Sequence, residues 1–217
     1  MLARADFAQL VPEGVSALDA APLTCAGVTT YKALKVAGVG PAQLVAISGV
    51  GGPRPPGGAV REDRRCHRAA VDVTDDKLEL ARELGADLVI DARTQDVGAE
   101  LKRHGGAHAA LALAVNPAAF AAVNAGLRRG GKLVMVALPA HGTLEIPIFD
   151  TVLNGTSVIG SIVGTRQDLA EVFRLHAAGR TRVIRETRPL TAVNESIDEV
   201  LRGQVKARIV FDLDTEG

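Results

Sequence analysis

Residues 44–52 read LVAISGVGG, an apolar run that ends abruptly in glycines. Six residues without polar alternation, LVAISG at 44–49, fit a strand buried on both faces of a parallel sheet, where neither side faces water. Runs of the same kind follow: AAVDV at 69–73, DLVID at 87–91, AALAL at 109–113, KLVMVAL at 132–138 and SVIGSIV at 157–163. Helical patterns lie between them. In DDKLELARELG, Leu78, Leu80, Ala81 and Leu84 make one apolar face and Gly85 stops the helix. Alternating strand and helix predicts right-handed βαβ units, and hence an α/β fold built on a doubly wound parallel sheet.

Composition bounds what such a fold serves. The chain has 217 residues, and its 47% hydrophobic content supplies a packed core. Lys+Arg and Asp+Glu are equal at 25 each, so no basic surface marks a nucleic-acid or anionic-membrane partner; a small molecule is the expected ligand. Cys25 and Cys66 are the two cysteines. That is no disulfide framework, and it fits the reducing cytoplasm. The opening MLARADFAQLVPEG carries Arg4 and Asp6 where a secretory signal needs apolar residues. The most apolar stretch, 107–125, is interrupted by Asn116 and Pro117 and falls short of a membrane span.

The glycines after the first strand suggest a specific ligand. Gly49, Gly51 and Gly52 can form a tight turn that brings backbone N–H groups to a pyrophosphate. The full GxGxxG pattern needs a third glycine at position 54, which is Arg54; alone, an ordinary glycine turn reads as well. Asp72 shifts the weighing. It ends the second strand about 20 residues after the glycines, where a carboxylate accepts hydrogen bonds from the adenosine ribose hydroxyls. A carboxylate there repels a 2′-phosphate, and no arginine immediately follows Asp72 in VDVTDDK, so NAD is expected over NADP. The competing role for Asp72, a helix cap, suits Thr74 and Asp75 better.

APLTCAGVTTYKAL at 21–34 resembles the segment of zinc-dependent, medium-chain alcohol dehydrogenases that carries one catalytic zinc ligand. The likeness continues through LVAISGVGG, AAVDVTDDKLELARELGAD and IGSIVGTRQDL to GQVKARIVFDL, and is nearest to the bacterial propanol-preferring type. It implies a Rossmann-type dinucleotide-binding domain, a small-molecule alcohol or aldehyde as substrate, NAD and zinc as cofactors, and no nucleic-acid or membrane partner. It also implies a homo-oligomer formed through the edge of the Rossmann sheet. By motif, Cys25 is a thiolate ligand of zinc, within the two-cysteine, one-histidine set for which alcohol dehydrogenases are the standing example; otherwise it is a small buried hydrophobe. Thr29 falls beside the nicotinamide, Lys77 near the adenosine ribose and Arg208 at the pyrophosphate. The backbones of Val136, Ala137 and Leu138, and of Ser161, Ile162 and Val163, bracket the nicotinamide ring. Each of these has an ordinary reading as a surface residue or strand end. His67, His104, His108, His141 and His176 match no ligand position of the family and read as surface or structural.

The resemblance divides the chain into 1–30, a remnant of the catalytic domain with its connecting helix; 31–180, the NAD-binding domain; and 181–217, a return to the catalytic domain. Two departures limit what it implies. The family's amino-terminal catalytic domain, with the other zinc ligands, precedes VPEGVSALDAAPL and is not in this sequence. Residues 53–68, PRPPGGAVREDRRCHR, replace a helix that begins LGHLAVQYAK in the family, and their prolines and glycines oppose a helix. Codons for Pro53 to Asp63, read one nucleotide later, permit LGHLAVQYAK throughout, as compensating frame changes would leave. The expectation is therefore a truncated, inactive cofactor-binding fragment of an oxidoreductase. The alternatives are a non-catalytic NAD-binding or subunit-pairing module, and a zinc-free quinone reductase of the same superfamily, against which Cys25 in its motif counts.

Overall fold

A computed structural model describes residues 4–50, 66–205 and 208–214. Gly51, Gly52 and the expected helix break at 53–65 lie outside the described residues. The described chain forms two compact units, residues 33–50 with 66–162, and residues 4–32 with 163–205 and 208–214.

The larger unit is the expected sheet. Its six strands are β1 (Leu44–Ser48), β2 (His67–Asp72), β3 (Leu88–Asp91), β4 (Ala107–Ala112), β5 (Leu127–Met135) and β6 (Ser157–Gly160). They pair in the order β3-β2-β1-β4-β5-β6, and every pair is parallel. Parallel neighbours need crossover helices, and the described crossovers use α3 (Asp75–Glu83), α4 (Val97–Arg103), α5 (Pro117–Ala125) and α6 (Ile148–Asn154). Local sequence starts and stops them. Asp96 caps α4 by accepting from Ala99 N, and Asn116 caps α5 ahead of Pro117 in the first turn. Gly155, at φ 60°, ends α6 in the left-handed conformation.

The unbroken apolar strands follow from burial on both faces. Leu44, Ala46, Ala110, Ala112 and Leu133 point to one side, where Val97 and Leu101 of α4 and Phe120 and Val123 of α5 cover them. Val45, Ala109, Leu111 and Val134 point to the other, against Ala33 and Ala37. The starts of β2 and β5 depart from expectation, and β5 and β6 end at Met135 and Gly160, three residues before the expected 138 and 163. β2 begins at His67 because Arg68 is buried and satisfied, its guanidinium donating to Gly85 O at 2.5 Å and its amide to Asp87 Oδ2 at 2.8 Å. β5 begins at Leu127, and the exposed RRG of 128–130 bulges between the pairings Ala107–Leu127 and Ala109–Lys132, with Gly130 at φ 72°.

The smaller unit begins with α1 (Ala17–Pro22), followed by a π-helical turn at Leu23–Gly27 that leads into α2 (Val28–Ala37). Pro22 has no N–H to donate to the turn before it, the usual cause of a break in helical pairing. In the π turn, Val28 N reaches back to Leu23 O as well as to Cys25 O. α7 (Arg166–Ala177) starts with a capping box between Thr165 and Asp168. Leu23 and Ala20 pack against its Val172 and Phe173. β7 (Arg185–Pro189), α8 (Val193–Leu201) and β8 (Arg208–Asp212) complete the unit, β7 and β8 as a two-stranded parallel sheet. The units divide at 32/33 and 162/163, α7 packing with 20–23 in the smaller one.

Candidate dinucleotide site

In a doubly wound sheet the ligand crevice lies beyond the carboxyl ends of the strands, where the strand order reverses. Here that point falls between β1 and β4, whose crossovers leave toward opposite edges. Gly49 follows β1 there with φ +91°, donating its N–H to Val71 O at 2.9 Å. A Cβ at Gly49 would sit 2.7 Å from Ala114 N and 2.9 Å from Leu113 C, so the turn has no room for a side chain.

Asp72 ends β2 on the same side and is buried. Its Oδ2 accepts from Val50 N at 2.8 Å, and its Oδ1 from Val73 N at 2.8 Å and Thr74 N at 3.2 Å. The carboxylate therefore fixes the glycine turn against the start of α3 and retains acceptor capacity beyond those three bonds. Thr74 sits at the N-cap position of α3 but makes no side-chain cap bond, and its own N–H donates to Asp72. Lys77 is half-buried on α3.

The remaining residues expected in this unit gather at the same strand ends. After β5, Val136 N and Ala137 N both donate to Ala112 O, at 3.2 and 3.0 Å, and Leu138 is exposed. After β6, Ser161 N donates to Met135 O at 2.9 Å, while Ser161 Oγ is buried with no hydrogen-bond partner among the described residues. Ile162 is exposed.

The smaller unit holds the other four. Cys25 lies on the π turn and is exposed, not the buried hydrophobe of its alternative reading. Thr29 is half-buried on α2. Val163 has φ +39°, a strained value for a β-branched residue. Arg208 opens β8, and its Nε is buried without a partner among the described residues.

Arg93 was not singled out from sequence, and His108 was read there only as surface or structural. Arg93, in the loop after β3, forms ion pairs with Asp91 and Asp75. Hydrogen bonding to Arg93 pulls the Asp91 carboxyl down to about 2 and also lowers Asp75. His108 on β4 accepts from Leu44 N at 3.0 Å through Nδ1, with Arg128 against its other nitrogen. Burial first, and then the Arg128 charge, lower the pKa of its ring.

The profile of the zinc-binding dehydrogenase family matches residues 65–178, more than half of the chain. The chain belongs to this family. An alcohol dehydrogenase of Geobacillus stearothermophilus is 46% identical over 98% of this chain and 63% of its own length. One from Moraxella sp. is 41% identical over 98% of this chain and 63% of its own length. Thus the chain spans less than two thirds of these relatives. Among solved structures, the alcohol dehydrogenase of Aeropyrum pernix superposes with TM-score 0.77 at 32% identity, over 88% of this chain and 56% of that one. Acetophenone reductase from Geotrichum candidum, in complex with NAD, does so with TM-score 0.78 at 26% identity, over 95% and 59%.

The family's two cofactors fare differently. In the larger unit the residues present fit a dinucleotide: a turn with no room for a Cβ at Gly49, a carboxylate at the end of β2, and a buried Ser161 hydroxyl without a hydrogen-bond partner among the described residues. A catalytic zinc takes three protein ligands; among the described residues no three metal-ligating side chains gather, and Cys25 is exposed on its π turn. The five histidines, read from sequence as outside any ligand set, make local contacts where their partners are described. His104 Nδ1 meets Glu100 O at 3.0 Å, and His176 Nδ1 meets Thr181 Oγ1 at 2.8 Å. No described helix is long and apolar enough to cross a membrane.

Proposed function

We propose that this chain is the NAD-binding part of an alcohol dehydrogenase acting on a primary alcohol and its aldehyde. The observation that carries the reading is Asp72: a buried carboxylate at the end of the second strand, tied by three backbone N–H groups to the turn at Gly49–Val50 and to the start of α3. In this reading Asp72 accepts from the adenosine ribose, Gly49, Gly51 and Gly52 admit the pyrophosphate, and Arg208 supplies its cation. Thr29, Val136 to Leu138 and Ser161 to Val163 border the nicotinamide, and Lys77 borders the ribose. NAD supplies the hydride-accepting ring; the residues of this chain bind and orient it. Cys25 is one ligand of the family's zinc, and the described residues assemble no further ones, so the chain alone binds dinucleotide without oxidising alcohol.

Titration calorimetry tests the reading. The full chain should bind NAD more tightly than NADP, and Asp72→Ala should narrow that difference. Thermal unfolding of the same variant separates loss of the ribose contact from loss of the fold. Tighter NADP binding by the unmodified chain would sink the assignment of Asp72. Steady propanol oxidation with NAD, abolished by a chelator, would overturn the statement on turnover.

The β6 edge supports a pairing reading for the same chain. Among the described residues β6 has a neighbour on one side only, and Ile148, Phe149 and Val152 of α6 are 81%, 75% and 76% exposed beside it in sequence. A second copy laid edge to edge would satisfy the open ladder and cover such apolar surface. Neither Cys25 nor Cys66 forms a disulfide among the described residues, which supports a reducing, cytoplasmic setting.

A further inference from the structure

The basis of nucleotide choice extends beyond Asp72. Asp72 and Asp91 are register partners on the adjacent parallel strands β2 and β3, so their Cα atoms lie about 5 Å apart. Ala92 N donates to Asp72 O at 3.0 Å, which stitches the loop after β3 to the end of β2. Arg93 is the next residue. An arginine absent from the sequence after Asp72 is thus delivered to its neighbourhood by the sheet register, 21 residues further along.

That arginine is fully engaged. Its amide and its Nε each donate to Asp91 Oδ1 at 2.9 Å, and its Nη2 donates to Asp91 Oδ2 at 2.7 Å. On the other side, Nη1 donates to Asp75 Oδ2 at 3.3 Å and Nη2 to Asp75 Oδ1. One guanidinium therefore bridges the carboxylate beside Asp72 in the ladder and the carboxylate three residues after it in the chain. The two contacts are unequal in shelter: the Asp91 side chain is 21% exposed and Asp75 is 81% exposed. Asp91 is the hinge that orients Arg93, and Asp75 is the latch.

We infer that the Asp75–Arg93–Asp91 clamp sets dinucleotide choice, by withholding from a ribose 2′-phosphate an arginine that the fold has already placed to receive it. A 2′-phosphate requires a cation beside the ribose carboxylate, and a planar guanidinium is well suited to hold one through paired hydrogen bonds. With Asp75 in place those donors are spent and three carboxylates surround the position. Without Asp75, Arg93 stays oriented by Asp91 and presents Nη1 and one N–H of Nη2 outward. The inference rests on the reading of Asp72 as the ribose ligand.

The experiment measures NAD and NADP affinities, together with 5′-AMP and 2′,5′-ADP, for the full chain and for Asp75→Ala, Arg93→Ala and the double variant. Asp75→Ala should tighten NADP relative to NAD by about tenfold, the worth of one charge-assisted hydrogen bond. The gain should fall with added salt. Arg93→Ala in the Asp75→Ala background should remove it, which loss of a repulsive charge at Asp75 would not explain. If Asp75→Ala unfolds, Asp75→Asn serves with the same expectation. NAD binding with an unchanged NAD-to-NADP ratio in the Asp75 variants, or a gain that survives removal of Arg93, overturns the clamp alone. Failure of the unmodified chain to bind either dinucleotide overturns the cofactor reading and the clamp together.

Discussion

The two edges of the sheet differ more than any two of its interior strands. β3 ends in a knot of charge, with Asp91, Arg93 and Asp75 bound to one another where the strand stops. β6 ends in Ser161 and the exposed Ile162, and the helix before it turns Ile148, Phe149 and Val152 outward. Both strands are four residues long and parallel to their neighbours, so the ladder does not explain the contrast. An unpaired strand edge invites another chain, and charge is a common way to refuse one. Charge guards one edge of the sheet; the other leaves apolar side chains exposed beside it.

That contrast presumes a single cooperative sheet between the edges. Leu111, fully buried on the central strand β4, is the sharpest place to break it. Leu111→Ala should cost about 2–5 kcal/mol and leave one unfolding transition in urea. Two separated transitions would mean that the edges unfold independently. Next in size is the apolar edge. Ile159→Lys, in the middle of β6, should weaken self-association about a hundredfold, since like charges would meet across the paired strands; analytical ultracentrifugation reads this directly. An unmodified chain that stays monomeric at high concentration would erase the difference between the edges.

Acid should act on the charged edge. Hydrogen bonding to Arg93 lowers Asp75 and brings Asp91 to about 2 from an ordinary value of 3.8. Depressed carboxylates stabilise the fold above their unfolded value, and that contribution is lost as pH falls from about 4 toward about 2. The melting difference between the unmodified chain and Arg93→Ala should therefore be constant at neutral pH and vanish in that window. The smallest effect belongs to neither edge. Burial, then Arg128, lower the pKa of His108 from its ordinary 6.5. The unfolded chain then takes up the proton first, so stability from this residue is present above pH 6.5 and declines as pH falls below it. His108→Gln should flatten that decline in a pH series of melting curves.

Much of this fold was legible because parallel strands buried on both sides announce themselves as apolar runs. β1 to β4 were read within two residues at each end. The early starts of β2 and β5 share a physical origin: polar residues belong to strands when hydrogen bonds satisfy them, as with Arg68, or when the segment lies in solvent, as with Arg128 and Arg129. At the site, Asp72 was readable from its spacing after the glycines. Arg93 was not, because chain order separates it from Asp72 while the register of β2 against β3 brings it close. Aligning the carboxyl ends of the two predicted strands would have exposed it. The π turn at Leu23–Gly27 has no periodic signal at all, beyond Pro22 at its threshold.

That turn changes how the segment tolerates editing. An α-helix advances its side chains by about 100° per residue; a wider turn takes up roughly one extra residue without adding a further turn. The positions after Gly27 are therefore out of phase with those before Leu23, as though one letter had been slipped into an otherwise regular rhythm. Deleting a single residue between 23 and 27 would restore the beat and bring Thr29 and its successors round by one step of the wheel. Shortening a helix by one residue usually scrambles its facing; here it would undo a scrambling that the native chain has kept.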